Sequence, residues 1–206
     1  EPAVAAEDVG VAPVPGEGDV GVGQVAEAGD AAEAAAVAVL HHLHGAVAFA
    51  LGRTDECHTH LTNNWNLLST ERLRFIDEPN LVLGVLSNLI YVCIQAGRYQ
   101  EAQDHLRRFR TLPAEWDMPE SEDLDLKLFS TTTSLELSMY MRTGEVERAL
   151  ELVPVVERGL AHHAGIISPV RVASFNYQLA YAHFAAGEHD KALRWSNALL
   201  NGLRTV

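Results

Sequence analysis

The stretch Ala96-Gly97-Arg98-Tyr99-Gln100-Glu101-Ala102 reads as a tight bend between two amphipathic helices, and it recurs. Leu51-Gly52-Arg53-Thr54-Asp55-Glu56-Cys57, Thr143-Gly144-Glu145-Val146-Glu147-Arg148-Ala149 and Ala186-Gly187-Glu188-His189-Asp190-Lys191-Ala192 share its plan. Each has a Gly and, five residues later, a small residue: Cys57, Ala102, Ala149 or Ala192. The glycines lie 45, 47 and 43 residues apart. A near-fixed period of this size marks a helical repeat array. Gly ends a helix because it takes positive φ without steric cost. The polar residues after it are placed to serve the open amides of the next helix. The small residue belongs where two helices cross closely.

Outward from the bends, apolar residues keep helical spacing. A first helix is predicted from near Ala31, through the helix-forming run Ala32 to Ala38, to Leu51. Its partner carries Leu61, Trp65 and Leu68. Asp77-Glu78-Pro79 opens the next helix, whose stripe is Leu81, Val85, Leu89, Val92 and Cys93. The return helix turns Ala102, Leu106 and Phe109 inward and runs to about Leu112. Pro113 to Pro119 then predict the longest internal loop. Ser121, followed by Glu122 and Asp123, reads as an N-cap with first-turn acids. Pro154 should kink the third return helix, and Ser168-Pro169 starts another.

The chain has 206 residues, a formal charge of −13 and 48% hydrophobic residues, enough for one domain with a sizeable core. Residues 1–30 differ from the rest: mostly Ala, Val, Gly, Glu, Asp and Pro, with no aromatic residue before Phe49 and no basic residue before Arg53. Such a segment buries too little apolar surface to offset its ordering entropy, so a disordered acidic tail is expected. It lacks the basic start and continuous apolar region of a signal peptide. The start at Glu1 rather than Met leaves a truncated or misread gene start open. Cys57 and Cys93 sit inside helical patterns and suggest a reducing compartment or no redox role, not a disulfide framework, and a cytoplasmic setting is expected.

Gly97, Tyr99 and Ala102 resemble the tetratricopeptide repeat family, whose helical hairpin carries a Gly, an aromatic two residues on and an Ala three further. Gly187, His189 and Ala192 match with His as the ring. Gly144 and Ala149 match around Val146, and Gly52 matches with Thr54 and Cys57. Gly45 and Ala180 fit the family's small residue at the helix contact, whereas Ile90 and Leu137 depart from it. Ser87-Asn88-Leu89-Ile90-Tyr91 and Leu135-Glu136-Leu137-Ser138-Met139-Tyr140 are similar to bacterial members with long hairpins. The resemblance covers 31–206 and implies an all-α, right-handed superhelix of about four hairpins, at about 31–70, 78–112, 121–163 and 168–204. It also implies a concave groove that binds a protein or peptide, an analogy at the level of the fold.

On the family's pattern, His42 with Ala46, Ser87 with Tyr91, Ser134 with Ser138 and Tyr177 with Tyr181 face that groove, joined by Phe49, Gln95 and Arg142. The Lys, Asn and Arg of a chaperone-tail carboxylate clamp are missing at the paired positions, which argues against that ligand. The three tyrosines suit a peptide or a helix, or pack between repeats.

His41, His42 and His44 face Cys57, His58 and His60 across a bend, and His44 and His60 are equally far from Gly52. The spacing matches no zinc pattern, so they are taken as ordinary partly buried histidines, with no metal and no cofactor. His162-His163 is assigned to the dipole of a helix end.

Arg107-Arg108-Phe109-Arg110 is the one dense basic run, and in so acidic a chain it reads as a solvated face rather than a nucleic-acid site. No phosphate loop, nucleophile elbow or paired metal motif supports an enzyme. No apolar run is read as long and uncharged enough for a membrane. The expected role is a binding scaffold or adaptor, or else a peptide-sensing regulatory domain of a larger signalling or transcription-control protein. Because no capping helix follows Asn201-Gly202, the last hairpin is expected to be covered by a second copy in a homodimer or by a C-terminal extension.

Overall fold

The computed structural model describes residues 21–72, 75 and 78–203, and of 21–32 and 203 the backbone alone. Among these residues the chain forms α1 (Gly21–Ala50), α2 (Thr54–Thr70), α3 (Pro79–Gln95), α4 (Tyr99–Glu115), α5 (Glu122–Thr143), α6 (Val146–Glu151), α7 (Val153–His162), α8 (Pro169–Ala185) and α9 (His189–Leu203), and no strand. The pairs α1/α2, α3/α4 and α8/α9 are antiparallel hairpins, and α5 pairs with α6 and α7. Hairpins stack through α2 on α3, α4 on α5 and α6 on α8, and the outgoing helices α3, α5 and α8 meet in series.

The four bends share one geometry. Gly52, Gly97, Gly144 and Gly187 have φ of 72°, 73°, 77° and 75°. The amide after each glycine donates back across the bend: Arg53 to Ala48, Arg98 to Cys93, Glu145 to Tyr140 and Glu188 to His183, at 2.8–2.9 Å. This closes the last carbonyls of the outgoing helix as a Schellman motif does. Cys57, Ala102, Ala149 and Ala192 are buried where the return helix crosses. The expected side-chain caps are not made: Arg53, Arg98 and Glu145 precede their helices with no side-chain cap bond. The true caps are at the far ends of the hairpins, where Ser121 Oγ accepts from the Leu124 amide and Ser168 Oγ from the Arg171 amide.

Several expectations need correction. Helix α1 is already formed at Gly21, the first described residue, rather than starting near Ala31, and it runs through Gly23 and Gly29. The part of the expected tail in residues 1–20 lies outside the described residues. Pro113 does not end α4, which runs to Glu115. Buried Trp116, whose amide reaches the Leu112 carbonyl at 2.9 Å, holds that last turn. Pro154 does more than kink its helix: α6 and α7 are separate, broken at Leu152. Helix α3 has no single apolar stripe, since Val82, Leu83, Leu86, Ile90 and Ile94 are buried along with Val85, Leu89, Val92 and Cys93. It lies between α2, α4 and α5 and is the centre of the core. Ile90 and Leu137, which depart from the family's small residue, are both fully buried.

Helix α1 also differs from its reading in composition. Over Glu33–Ala50 it has a mean hydropathy of 1.2, long and apolar enough by those measures alone to cross a membrane. One side packs on α2 through Ala34, Ala38, Gly45 and Ala48, while Leu40, Leu43, Val47 and Leu51 stay exposed.

Candidate binding groove

Adjacent outgoing helices are tied by a ladder of contacts. The Phe49 and Tyr91 rings, on α1 and α3, are 5.6 Å apart. Arg142 on α5 donates to Gln95 Oε1 on α3. Ser134 Oγ on α5 donates to Gln178 Oε1 on α8 (3.2 Å), and Gln178 Nε2 donates to the Ser134 carbonyl (3.1 Å). Lys127 donates to Asn80 Oδ1 at 3.1 Å. The polar pairs lie 47, 44 and 47 residues apart, one repeat period each. Gln178 and Asn80 were missed by the sequence reading, and the period was the signal that pointed to them. Ser87 is half-buried and bonds back to the Gly84 carbonyl (2.9 Å); Ser138 is half-buried as well.

The candidate groove residues do not form one continuous site. His42, Phe49 and Tyr91 meet at a cavity of about 250 Å³ between α1, α2 and α3, lined also by Gly45, Ala46 and Asn88. Phe49 and Tyr91 are 42% and 40% exposed, and the buried His42 Nδ1 has no hydrogen-bond partner. Gln95, Arg142 and Ser134 are spent on the ladder. Tyr177 and Tyr181, 60% and 50% exposed and stacked at 6.5 Å, line a separate open cleft of about 540 Å³ between α8 and α9 with Phe184 and Leu193.

The histidines of the first hairpin come together as the bend geometry requires. His60 lies 5.1 Å from His44 and 5.7 Å from His41, ring to ring. Burial first, then the neighbouring charges of His60 and His44, lower the His41 pKa from 6.5. A lowered histidine keeps its full contribution above 6.5 and loses it as the unfolded chain takes up the proton below that value. The melting temperature should therefore fall as pH drops through 6.5, and less so in His60→Gln, which removes one like charge. Parallel pH profiles for parent and variant would refute this coupling.

His162 and His163 end α7 as the dipole reading expected, and both Nε2 atoms lie 3.5 Å from Asp125. The basic run is fully engaged: Arg107 with Asp104, Arg110 with Glu136 at 2.6 Å, Arg108 over the Trp65 ring at 5.3 Å, and Phe109 in the core. It presents no free row of cations for phosphates.

Stacked helical hairpins bent at glycine and locked by a small residue define an all-α helical repeat protein. Residues 38–61, 83–108 and 174–197 match the sequence profile of the tetratricopeptide repeat. These three stretches are tetratricopeptide repeats. The hairpin at Gly144 lies outside the matched stretches, and there Val146 replaces the ring and the return helix is broken. Its bend is pinned instead by Arg148, 4.4 Å over the Tyr140 ring and bonded to the Tyr140 hydroxyl at 3.0 Å. No curated protein matches the chain. Repeats of this class generally mediate protein–protein interaction and are typically non-catalytic.

Proposed function

We propose that the chain is a cytoplasmic scaffold that grips an apolar side chain of a partner peptide in the cleft between α1 and α3. The observation that carries this is the pair of half-exposed rings, Phe49 and Tyr91, above an apolar cavity edged by His42 and Asn88. The cavity is below the size of a usual small-molecule pocket, about 300–1,000 Å³, and fits one anchoring side chain. Its polar edge can accept and donate, which fixes the direction of a bound backbone. The lining includes no lysine or arginine, so an apolar anchor rather than a terminal carboxylate is the ligand chemistry. Half-buried Ser87 and Ser138 would extend contact along the groove, while Gln95 and Ser134 hold the outgoing helices together.

The test is a displayed library of random peptides selected on the full chain. Selected peptides should share one aromatic or aliphatic anchor. Tyr91→Ala should weaken them about thirtyfold, the effect of losing an anchor worth about 2 kcal/mol. Equal binding by a folded Tyr91→Ala, or selected peptides with no common anchor, would sink the reading. Peptides that depend on Tyr181 instead would move the site to the α8–α9 cleft.

A further inference from the structure

The bend between α3 and α4 encloses a cluster that the groove does not use. Cys93, in the last turn of α3, is fully buried, and His58, from α2, is buried against it. Glu101, in the first turn of α4, completes the group. One donor atom from each of the three, a thiol sulfur, an imidazole nitrogen and a carboxylate oxygen, lies within 4.8 Å of the other two. His58 Nε2 is 2.8 Å from Glu101 Oε1. His105, one turn further along α4, brings its Nε2 to 3.9 Å from the same oxygen.

We propose that His58, Cys93, Glu101 and His105 form a binding site for a divalent transition-metal ion, with zinc the best match. Zinc takes four ligands in a tetrahedron, from Cys, His and carboxylate donors at about 2.0–2.3 Å. Those bond lengths put neighbouring donors about 3.3–3.7 Å apart. The His58, Cys93 and Glu101 donors, each within 4.8 Å of the others, lie close enough for small movements to admit the ion, and His105, outside that close group, swings in from 3.9 Å off Glu101 to complete the tetrahedron. A thiolate and a carboxylate balance its double charge, so the filled site carries no net charge into the core.

Three further observations favour these residues. Glu101 is already oriented: Arg98 lies 3.8 Å from Oε2, leaving Oε1 to turn inward, and Arg98 is itself held by Asp55 at 3.0 Å. Outer partners of this kind fix ligand geometry in metal sites. The cluster joins three helices, α2, α3 and α4, so an ion there would clamp the first hairpin to the second. By contrast, the His41, His44 and His60 group offers three imidazoles and no anion among the contacts described, and so no charge balance. In the metal-free chain, burial and then the Glu101 charge push the Cys93 thiol up to about 12. A bound dication reverses that preference, and the thiol proton leaves to solvent as the metal–sulfur bond forms.

The site is independent of the groove reading. Its test uses the full chain, stripped with chelator and titrated with Co²⁺. The expected result is one equivalent bound, with a thiolate-to-cobalt charge-transfer band in the near ultraviolet and the intense visible bands of four-coordinate Co²⁺. Zn²⁺ should bleach both. Cys93→Ser should abolish the charge-transfer band, and Cys57→Ser should keep it. His58→Gln and His105→Gln should each weaken binding at least tenfold while circular dichroism shows an intact helical fold. No charge-transfer band in the parent would overturn the proposal, as would a band that survives in Cys93→Ser. Parent affinity in His105→Gln, a partly exposed position whose change should spare the fold, would overturn the four-ligand set.

Discussion

Gly159→Val should lower the stability of the chain by about 2–3 kcal/mol, an overpacking effect. A Cβ at Gly159 would clash with Cε2 and Cζ of Phe129, closer than real atoms approach. Whether such a clash is costly depends on whether the neighbour can yield. Phe129 cannot easily do so, because its ring is held between His163 and Phe175, each 5.4 Å away and nearly parallel. Gly159 is thus the gap in α7 that lets the Phe129 ring sit against the helix. Val improves on the helix propensity of Gly by only a few tenths of a kcal/mol, too little to offset the clash. A urea midpoint unchanged from the parent would contradict this placement of the ring. Adding Phe129→Leu to Gly159→Val should recover part of the loss, since a smaller side chain vacates the contact.

Phe175→Ala should cost more, about 3–5 kcal/mol, the range for truncating a buried aromatic residue. Phe175 is fully buried on α8 and stacks on Phe129 of α5. Truncation leaves a cavity at the α5–α8 contact, where Phe175 meets Phe129. Against a total stability of about 5–15 kcal/mol, such a loss brings the chain close to unfolding. Denaturant midpoints measure it, and a loss below about 1 kcal/mol would mean that the joint repacks. The two substitutions should not add. Both act through the Phe129 ring, and the space left by Phe175 gives that ring somewhere to go. The double variant should therefore lose less than the sum of the two singles.

The bends were readable because their rule is local. A glycine that needs positive φ and a small residue five positions on can be seen in any seven-residue window, and all four windows fold alike. A disturbance at Pro154 was readable for the same reason, though as a kink and not as the full break that separates α6 from α7. Burial of α3 on every side was not, because the number of neighbours a helix has is set by residues a full period away. Pro113 misled for a related reason: local preference for a loop was outweighed by Trp116 packing into the core. The groove was half legible. The family's register placed Phe49, Tyr91, Gln95 and Arg142 on one groove without pairing them, and the structure sets Phe49 beside Tyr91 and Gln95 beside Arg142. The register also treated Tyr177 and Tyr181 as part of the same surface. It also had no means of grouping His58 with Glu101, 43 residues apart. That separation is close to one period, and polar pairs at that interval are the signal a second reading of this sequence would seek.

The enclosure of α3 has a consequence for motion. In a stacked array, opening free energy falls from the centre toward the ends, because an end hairpin has one neighbour and an inner one has two. Amide protons of α3, enclosed by α2, α4 and α5, should exchange with solvent only when the whole chain opens, while those of α1, which packs by one side on α2, exchange through smaller openings. Phe49 sits on the helix that opens more readily and Tyr91 on the one that opens last. A ligand bridging these two rings can bind well only when α1 is docked, so occupancy of the cleft and order in the first hairpin rise together. Slowed exchange along α1, with α3 unchanged, would be the mark of an occupied cleft, visible even before the partner is identified.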